Sequence, residues 1–249
     1  GIILRFGSWV GGDMDGNPNV TAETILATLA RQRTVIIKRY LPEVKSLSRY
    51  LSQSTSEVAV SDEVMQRLEE YSQRLPDVAR AIPERHLDMP YRCLLRMVSA
   101  RLEATLAGSA HAYQSADEFI ADIGLVQASL ESNRGHNAGL FRVKRLLRRV
   151  HTFGFHLVTL DVRQDALLHR RVMGELLACE DWEERDAEKR AAVLAHLLEE
   201  GAVPGVNSSG SLSDDARSTL DVFRAISSAR QMYGRSAIGL FITSMTQGA

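Results

Sequence analysis

Phe155-His156-Leu157-Val158-Thr159-Leu160-Asp161-Val162-Arg163-Gln164 is the stretch on which the fold turns. Apolar and β-branched residues run for several positions and stop at an arginine and an amide. That is the profile of a buried strand delivering a cation to the rim of a pocket. Ile2–Trp9 and Ala237–Thr243 share the design, apolar first and polar at the C-terminal end. Long helical patterns separate the three, so strands near 2–9, 155–162 and 237–243 are expected to run parallel. The fold class expected is mainly α with a few parallel strands, a partial (β/α)8 barrel elaborated with many extra helices. In such barrels the working residues sit at the C-terminal ends of the strands. The Gly-rich loop after Trp9, the Arg163-Gln164 pair and Ser244-Met245-Thr246 would then converge on a site for an anionic ligand.

Helical spacing fills the intervals. Thr21 caps a helix to about Leu41, with Ile25, Leu26, Leu29, Ile36, Ile37 and Tyr40 as its apolar face. Pro42 is expected to bend or end it, with the pattern resuming to about Gln53. Further helices are read at 61–75, from Pro90 to a stop at Gly108, and from a Ser115/Glu118 capping box ahead of Phe119. Others follow at 138–153, 165–179, 184–200 and 213–232, with Gly201–Ser213 as a surface loop. Positions 21–153 thus form a helical elaboration and 165–232 a second helical stretch. A chain that opens on one strand and finishes on another reads as 1–249 being a single incomplete segment of a larger barrel enzyme.

Composition narrows the partners. The formal net charge of -1 gives no global field toward nucleic acid or a membrane surface. No run of about 18 apolar residues is present, so a membrane-spanning helix is not expected, and no signal peptide is visible. Cys93 and Cys179, the only two cysteines, both fall in helical patterns and are expected to be reduced thiols of a cytoplasmic protein.

Several motifs compete for a chemical role. Asp13-Met14-Asp15-Gly16-Asn17 invites a calcium loop, but counting from Asp13, positions six and twelve hold Pro18 and Thr24 where an EF-hand needs Gly and Glu. Gly11, Gly12 and Gly16 ahead of a helix could cradle an anion, or could form a tight turn rich in Asx bonds. Arg142, Lys144, Arg145, Arg148 and Arg149 make a basic helix, read as a solvated or ion-paired face rather than a nucleic-acid surface. His136, His151, His156 and His169 have no metal-ligand spacing, and His156 is read as a packed histidine. Thr159, Asp161 and Arg163 share a strand face. Arg163 could bind carboxylate or phosphate bidentately, or form a structural salt bridge, for instance with Asp161.

Three motifs carry a resemblance. Phe6-Gly7-Ser8-Trp9-Val10-Gly11-Gly12-Asp13-Met14-Asp15-Gly16-Asn17-Pro18-Asn19-Val20-Thr21 is similar to the F-x-S-W-M-G-G-D-R-D-G-N-P-x-V-T signature of the phosphoenolpyruvate carboxylases. Phe153 through Gln164 resembles that family's T-F-G-F-H-L-x-x-L-D-x-R-Q, and Ile242-Thr243-Ser244-Met245 its I-I-S-M strand. The resemblance spans the chain. It implies a homotetrameric, cytoplasmic carboxy-lyase with an eight-stranded barrel, which carboxylates phosphoenolpyruvate with bicarbonate to give oxaloacetate and phosphate, using Mg2+ or Mn2+. Bicarbonate would attack phosphorus, giving carboxyphosphate and the pyruvate enolate; carboxyphosphate would release the CO2 that the enolate captures.

By the same resemblance Arg163 is the catalytic and substrate-binding arginine at a strand end, holding phosphate or carboxyphosphate. Trp9 lines the apolar pocket around the enolate and CO2, and Gln164 is a further substrate-binding candidate. Met14 departs from the motif, where the commonest form has arginine. The metal-binding carboxylates, the catalytic-histidine segment, the mobile Gly-Arg-rich loop and the regulatory aspartate-binding residues are expected outside these residues, leaving no metal ligand in this segment and the segment alone inactive. The alternatives are a helical interaction or scaffold module without catalysis and, from the basic helix, a nucleic-acid binder.

Overall fold

A computed structural model describes residues 6–201 and 212–246. Ile2–Arg5 of the first expected strand, and 202–211 of the expected loop, lie outside the described residues. Among the described residues the chain is mainly helical, with nine α-helices and one three-stranded parallel sheet. It divides into two compact units, one from 31–157 and one from 6–30 with 158–246. Helix α1 (Ala22–Tyr50) passes from the second unit to the first at Ala30/Arg31.

The first unit is all helical: the main part of α1, then α2 (Asp62–Arg74), α3 (Pro76–Arg80), α4 (Pro90–Ala107), α5 (Ala116–Ser132) and α6 (Leu140–Phe153). Its core is the meeting of their apolar stripes, including Ile37, Tyr40 and Val44 of α1, Leu94, Val98 and Leu102 of α4, Phe119 and Val126 of α5, and Val143 and Leu146 of α6. Pro42 neither ends α1 nor divides it. A proline inside a helix costs about 3 kcal/mol in propensity. Val44, Leu47 and Leu51 beyond it are buried in the same core as Tyr40, at roughly 1.5–3 kcal/mol each, so packing carries the helix through. Gly108 closes α4 in the left-handed conformation, φ 66°, as its sequence position suggests.

A charged network lies inside this unit. Asp122 is fully buried and accepts hydrogen bonds from Tyr71 Oη (2.6 Å), Tyr113 Oη (2.5 Å) and the Arg67 guanidinium. Arg101, 2% exposed, donates to Tyr71 Oη (2.5 Å) and Glu118 Oε2 (2.6 Å), and its guanidinium lies 3.8 Å from the Tyr113 ring centroid. Burial first, and the adjacent Asp122 charge second, hold the Tyr113 hydroxyl well above its ordinary pKa, so it remains a donor. One expectation is overturned: Ser115 makes no side-chain cap on α5, and the Glu118 carboxylate that would complete a capping box is engaged by Arg101.

The second unit holds β1 (Gly7–Ser8), β2 (Thr159–Asp165) and β3 (Ile238–Ser244) in the order β1-β2-β3, with α7 (Ala166–Leu176), α8 (Ala187–Glu199) and α9 (Asp214–Tyr233). Thr21 and Thr24 cap the start of α1 reciprocally. Leu160 and Val162 are wholly buried in a cluster with Ile25 and Leu29 of α1 and Val222 and Ala229 of α9. Strand alternation then turns Thr159, Asp161 and Arg163 to the other face.

The middle strand begins later than 155. Gly154 (φ 49°) and Leu157 (φ 65°) both take positive φ, and Leu157 N bonds back to Phe153 O (2.8 Å). Phe155 is packed against Tyr113 and Phe119 in the helical unit. The apolar content of 155–158 thus belongs to a turn and a core rather than to a ladder. Between β2 and β3 the register shifts: Leu160 pairs with Ile238, but Val162 pairs with Phe241. Gly239 and Leu240 together oppose Asp161, a bulge of one extra residue. Asp161 Oδ1 accepts the Leu240 amide (2.9 Å), and a Cβ on Gly239 would stand 2.2 Å from that oxygen.

Candidate functional site

The Gly-rich loop folds back onto the end of β2. Trp9 O accepts from Gly12 N (2.9 Å) and Asp13 N (3.1 Å), closing a tight turn. Gly11 sits at φ 87°, where a Cβ would meet Thr28 Oγ1 at 2.1 Å, and a Cβ on Gly12 would stand 2.3 Å from the Asp161 carbonyl oxygen. Glycine at 12 lets the loop lie this close to β2, and glycine at 11 lets it lie against Thr28 of α1. The contact is a bridge between Asp13 and Arg163: Arg163 N donates to Gly12 O and Met14 N to Arg163 O, both at 2.8 Å. Asn17 Oδ1 accepts from Asn19 N (3.1 Å), the Asx turn of the alternative reading of this loop.

This seating turns two carboxylates toward Arg163. Its Nη2 donates to Asp15 Oδ2 at 2.5 Å, and its Nη1 lies 3.5 Å from Asp13 Oδ2. Ser244 Oγ, at the end of β3, is 2.9 Å from the same Asp15 oxygen and 3.3 Å from Gln164 O. The Arg163 guanidinium carbon stands 5.2 Å from the Trp9 ring, a cation–π contact, and Trp9 is half-exposed. The loop, Arg163 and Ser244 do converge at the C-terminal ends of the three strands. The salt bridge considered for Arg163 is real but has different partners: Asp13 and Asp15 take the guanidinium, while Asp161 serves the bulge.

Gln164 is placed apart from Trp9 and Arg163. Its Oε1 accepts from Asp165 N (2.8 Å), and it lines a small cavity on the helix-facing side with Met14, His169, Thr219, Phe223 and Phe241. Met14 is buried in the apolar cluster of this unit, so a longer cation at that position would meet apolar walls. His169 packs against the stacked pair Phe223 and Phe241, its Nε2 is buried with no hydrogen-bond partner among the described residues, and burial lowers its pKa. Burial likewise lowers the pKa of His156, as expected of a packed histidine.

The family's divalent ion does not fit these residues. Among the described residues no three His, Cys, Asp or Glu side chains group as metal ligands, and Asp13 and Asp15 already face a guanidinium. The basic helix α6 has an ion-paired face: Lys144 bonds Glu131 (2.7 Å), Arg149 meets Glu43, and Arg142 stacks on Tyr50. Both cysteines are free thiols, and no described helix is long and apolar enough to cross a membrane. Sequence reasoning missed Asp13 and Asp15 as partners of Arg163, and Ser244 as the hydroxyl that bonds Asp15. Their positions just after β1 and at the end of β3 were the available signal.

Known proteins agree with the motifs. A family model described as phosphoenolpyruvate carboxylase matches residues 1–249. The chain is 47% identical over 244 residues to the phosphoenolpyruvate carboxylase of Xanthomonas oryzae pv. oryzae, covering 98% of this chain and 26% of that protein. It is 37% identical over 264 residues to the enzyme of that name from Rhodopseudomonas palustris strain HaA2, and 35% over 262 residues to that of Ralstonia nicotianae. The chain spans about a quarter of the length of the curated relatives it matches. With a family match running from the first residue to the last, and the matched glycines, tryptophan and arginine meeting at one end of a parallel sheet, the chain belongs to the phosphoenolpyruvate carboxylase family.

Proposed function

We propose that this chain forms part of an enzyme that carboxylates phosphoenolpyruvate with bicarbonate, releasing oxaloacetate and phosphate. The sheet is then an arc of a (β/α)8 barrel. Support comes from its parallel order, its helix-covered face, and the polar face carrying Thr159, Asp161 and Arg163. The single observation that carries the reading is the stacking of Arg163 on Trp9 at the C-terminal ends of the strands.

Arg163 binds the phosphoryl group through the edge that Asp13 and Asp15 leave open. Every species along the reaction is anionic, so a fixed guanidinium stabilises charge where it develops. One guanidinium facing two carboxylates offers no surplus of positive charge, so further cations come from the rest of the protein. Trp9 keeps water from the enolate, which would otherwise be protonated to pyruvate before CO2 adds. The Mg2+ or Mn2+ ligands lie outside the described residues, and the working enzyme is a cytoplasmic homotetramer.

The test is turnover by the full-length protein. Arg163→Ala is expected to lower kcat/KM for phosphoenolpyruvate by about 100- to 1,000-fold, the scale of losing one preorganised charge donor. Trp9→Ala is expected to raise the ratio of pyruvate to oxaloacetate formed. Unchanged turnover in the first and an unchanged product ratio in the second overturn the site assignment.

A further inference from the structure

We propose that Asp15, backed by Ser244, is the positioning residue that sets the orientation of the Arg163 guanidinium. The inference rests on the proposed function and adds a residue and a role to it. An arginine on a strand end has four side-chain torsions and correspondingly large rotamer freedom. Here two contacts on the guanidinium, and a third that holds Asp15, restrict that freedom. The Trp9 ring lies against the guanidinium 5.2 Å from its carbon. Asp15 Oδ2 holds Nη2 at 2.5 Å, and the same oxygen receives Ser244 Oγ at 2.9 Å. Asp15 therefore links the loop after β1 to the ends of β2 and β3 through one atom. The pair is partly shielded, with side-chain exposures of 28% for Arg163 and 21% for Asp15, so it is less screened than a surface ion pair.

Asp13 is the weaker partner. Its Oδ2 stands 3.5 Å from Nη1, and its Oδ1 is buried without a hydrogen-bond partner among the described residues. The two carboxylates occupy the Nη1/Nη2 end of the fork. The guanidinium donors left for an anion are then aimed by what Asp15 holds.

The geometry separates charge from placement. Asn in place of Asp15 can put its carbonyl oxygen where Oδ2 stands, accepting from Arg163 and Ser244 alike, whereas Ala removes the acceptor. In the full-length protein, Asp15→Ala is expected to lower kcat/KM for phosphoenolpyruvate about 10- to 30-fold, as the productive guanidinium pose loses population. Asp15→Asn is expected to stay within about threefold of wild type, and Ser244→Ala to fall between the two. Because Asp15 acts through Arg163, the double variant Arg163→Ala/Asp15→Ala is expected to match Arg163→Ala alone within about twofold. A merely structural role would lower that background further, which overturns the proposal. Wild-type kinetics in Asp15→Ala, or equal impairment in Asp15→Asn and Asp15→Ala, also overturn it while leaving the proposed function standing. An unimpaired Arg163→Ala overturns the function itself.

Discussion

Replacing Asp122 by Ala tests the account of the helical unit most directly. The carboxylate is fully buried and accepts from two tyrosines and Arg67, with Arg101 Nη1 3.8 Å from its Oδ2. Removing it leaves the Tyr71 and Tyr113 hydroxyls without their shared acceptor, at about 1–3 kcal/mol for each stranded group. Breaking one side of a buried ion pair costs roughly 3–5 kcal/mol on its own. The losses overlap, because Arg101 keeps Glu118 and the Tyr113 face, so the expected net is about 4 kcal/mol rather than the sum. With a urea slope of about 2 kcal/mol/M, the midpoint of the helical transition should fall by about 2 M. Urea titration followed by far-ultraviolet circular dichroism reads this, with Asp122→Asn as the intermediate case. A midpoint within about 0.5 M of wild type for the Ala variant, at unchanged slope, would refute the reasoning.

Two further outcomes follow from the sheet unit. Gly12→Ala places a Cβ 2.3 Å from the Asp161 carbonyl and must push the loop off β2. We expect about 1–3 kcal/mol of destabilisation by thermal unfolding, and a loss of activity out of proportion to it because Asp13 and Asp15 move with the loop. The second concerns pH. His169 and His156 both have folded pKa values held down by burial, so the unfolded chain takes up protons first. Their contribution is complete above the ordinary histidine pKa of about 6.5 and is lost as pH falls through it toward the lowered folded values. The thermal midpoint should therefore decline on acidification through that range, and His169→Phe, beside Phe223 and Phe241, should flatten part of the slope; an identical slope in the variant contradicts the assignment.

The parts legible in the sequence were those written in local chemistry. The helices announced themselves through spacing and stops such as Gly108, and the sheet through apolar runs that end in polar residues. The Gly-rich loop and Arg163 could be brought together because barrel topology sends all strand ends one way. What escaped depends on tertiary context. Phe155 is as apolar as a strand residue, and only its packing on Tyr113 and Phe119 reveals a turn. Pro42 reads as a break until the core on both sides of it is known. Ser115 and Glu118 fit a capping box, and no local rule foretells that Arg101 claims the glutamate. Strand alternation does put Gln164 opposite Arg163, but its adjacency in the motif drew both into one site.

The doubled pair opposite Asp161 reaches beyond local geometry, because it acts as a phase reset. Were Leu240 to pair with Val162, Phe241 would rotate away from Phe223 and His169, and Ser244 would pass beyond Asp165 and out of reach of Asp15. One inserted residue thus lets β3 present an aromatic to the helices and a hydroxyl to the Arg163 cluster at once. Any comparison with a related chain must preserve that count. A single-residue deletion between Ala237 and Phe241 would change which face every later residue of the strand serves, even with each of those residues kept.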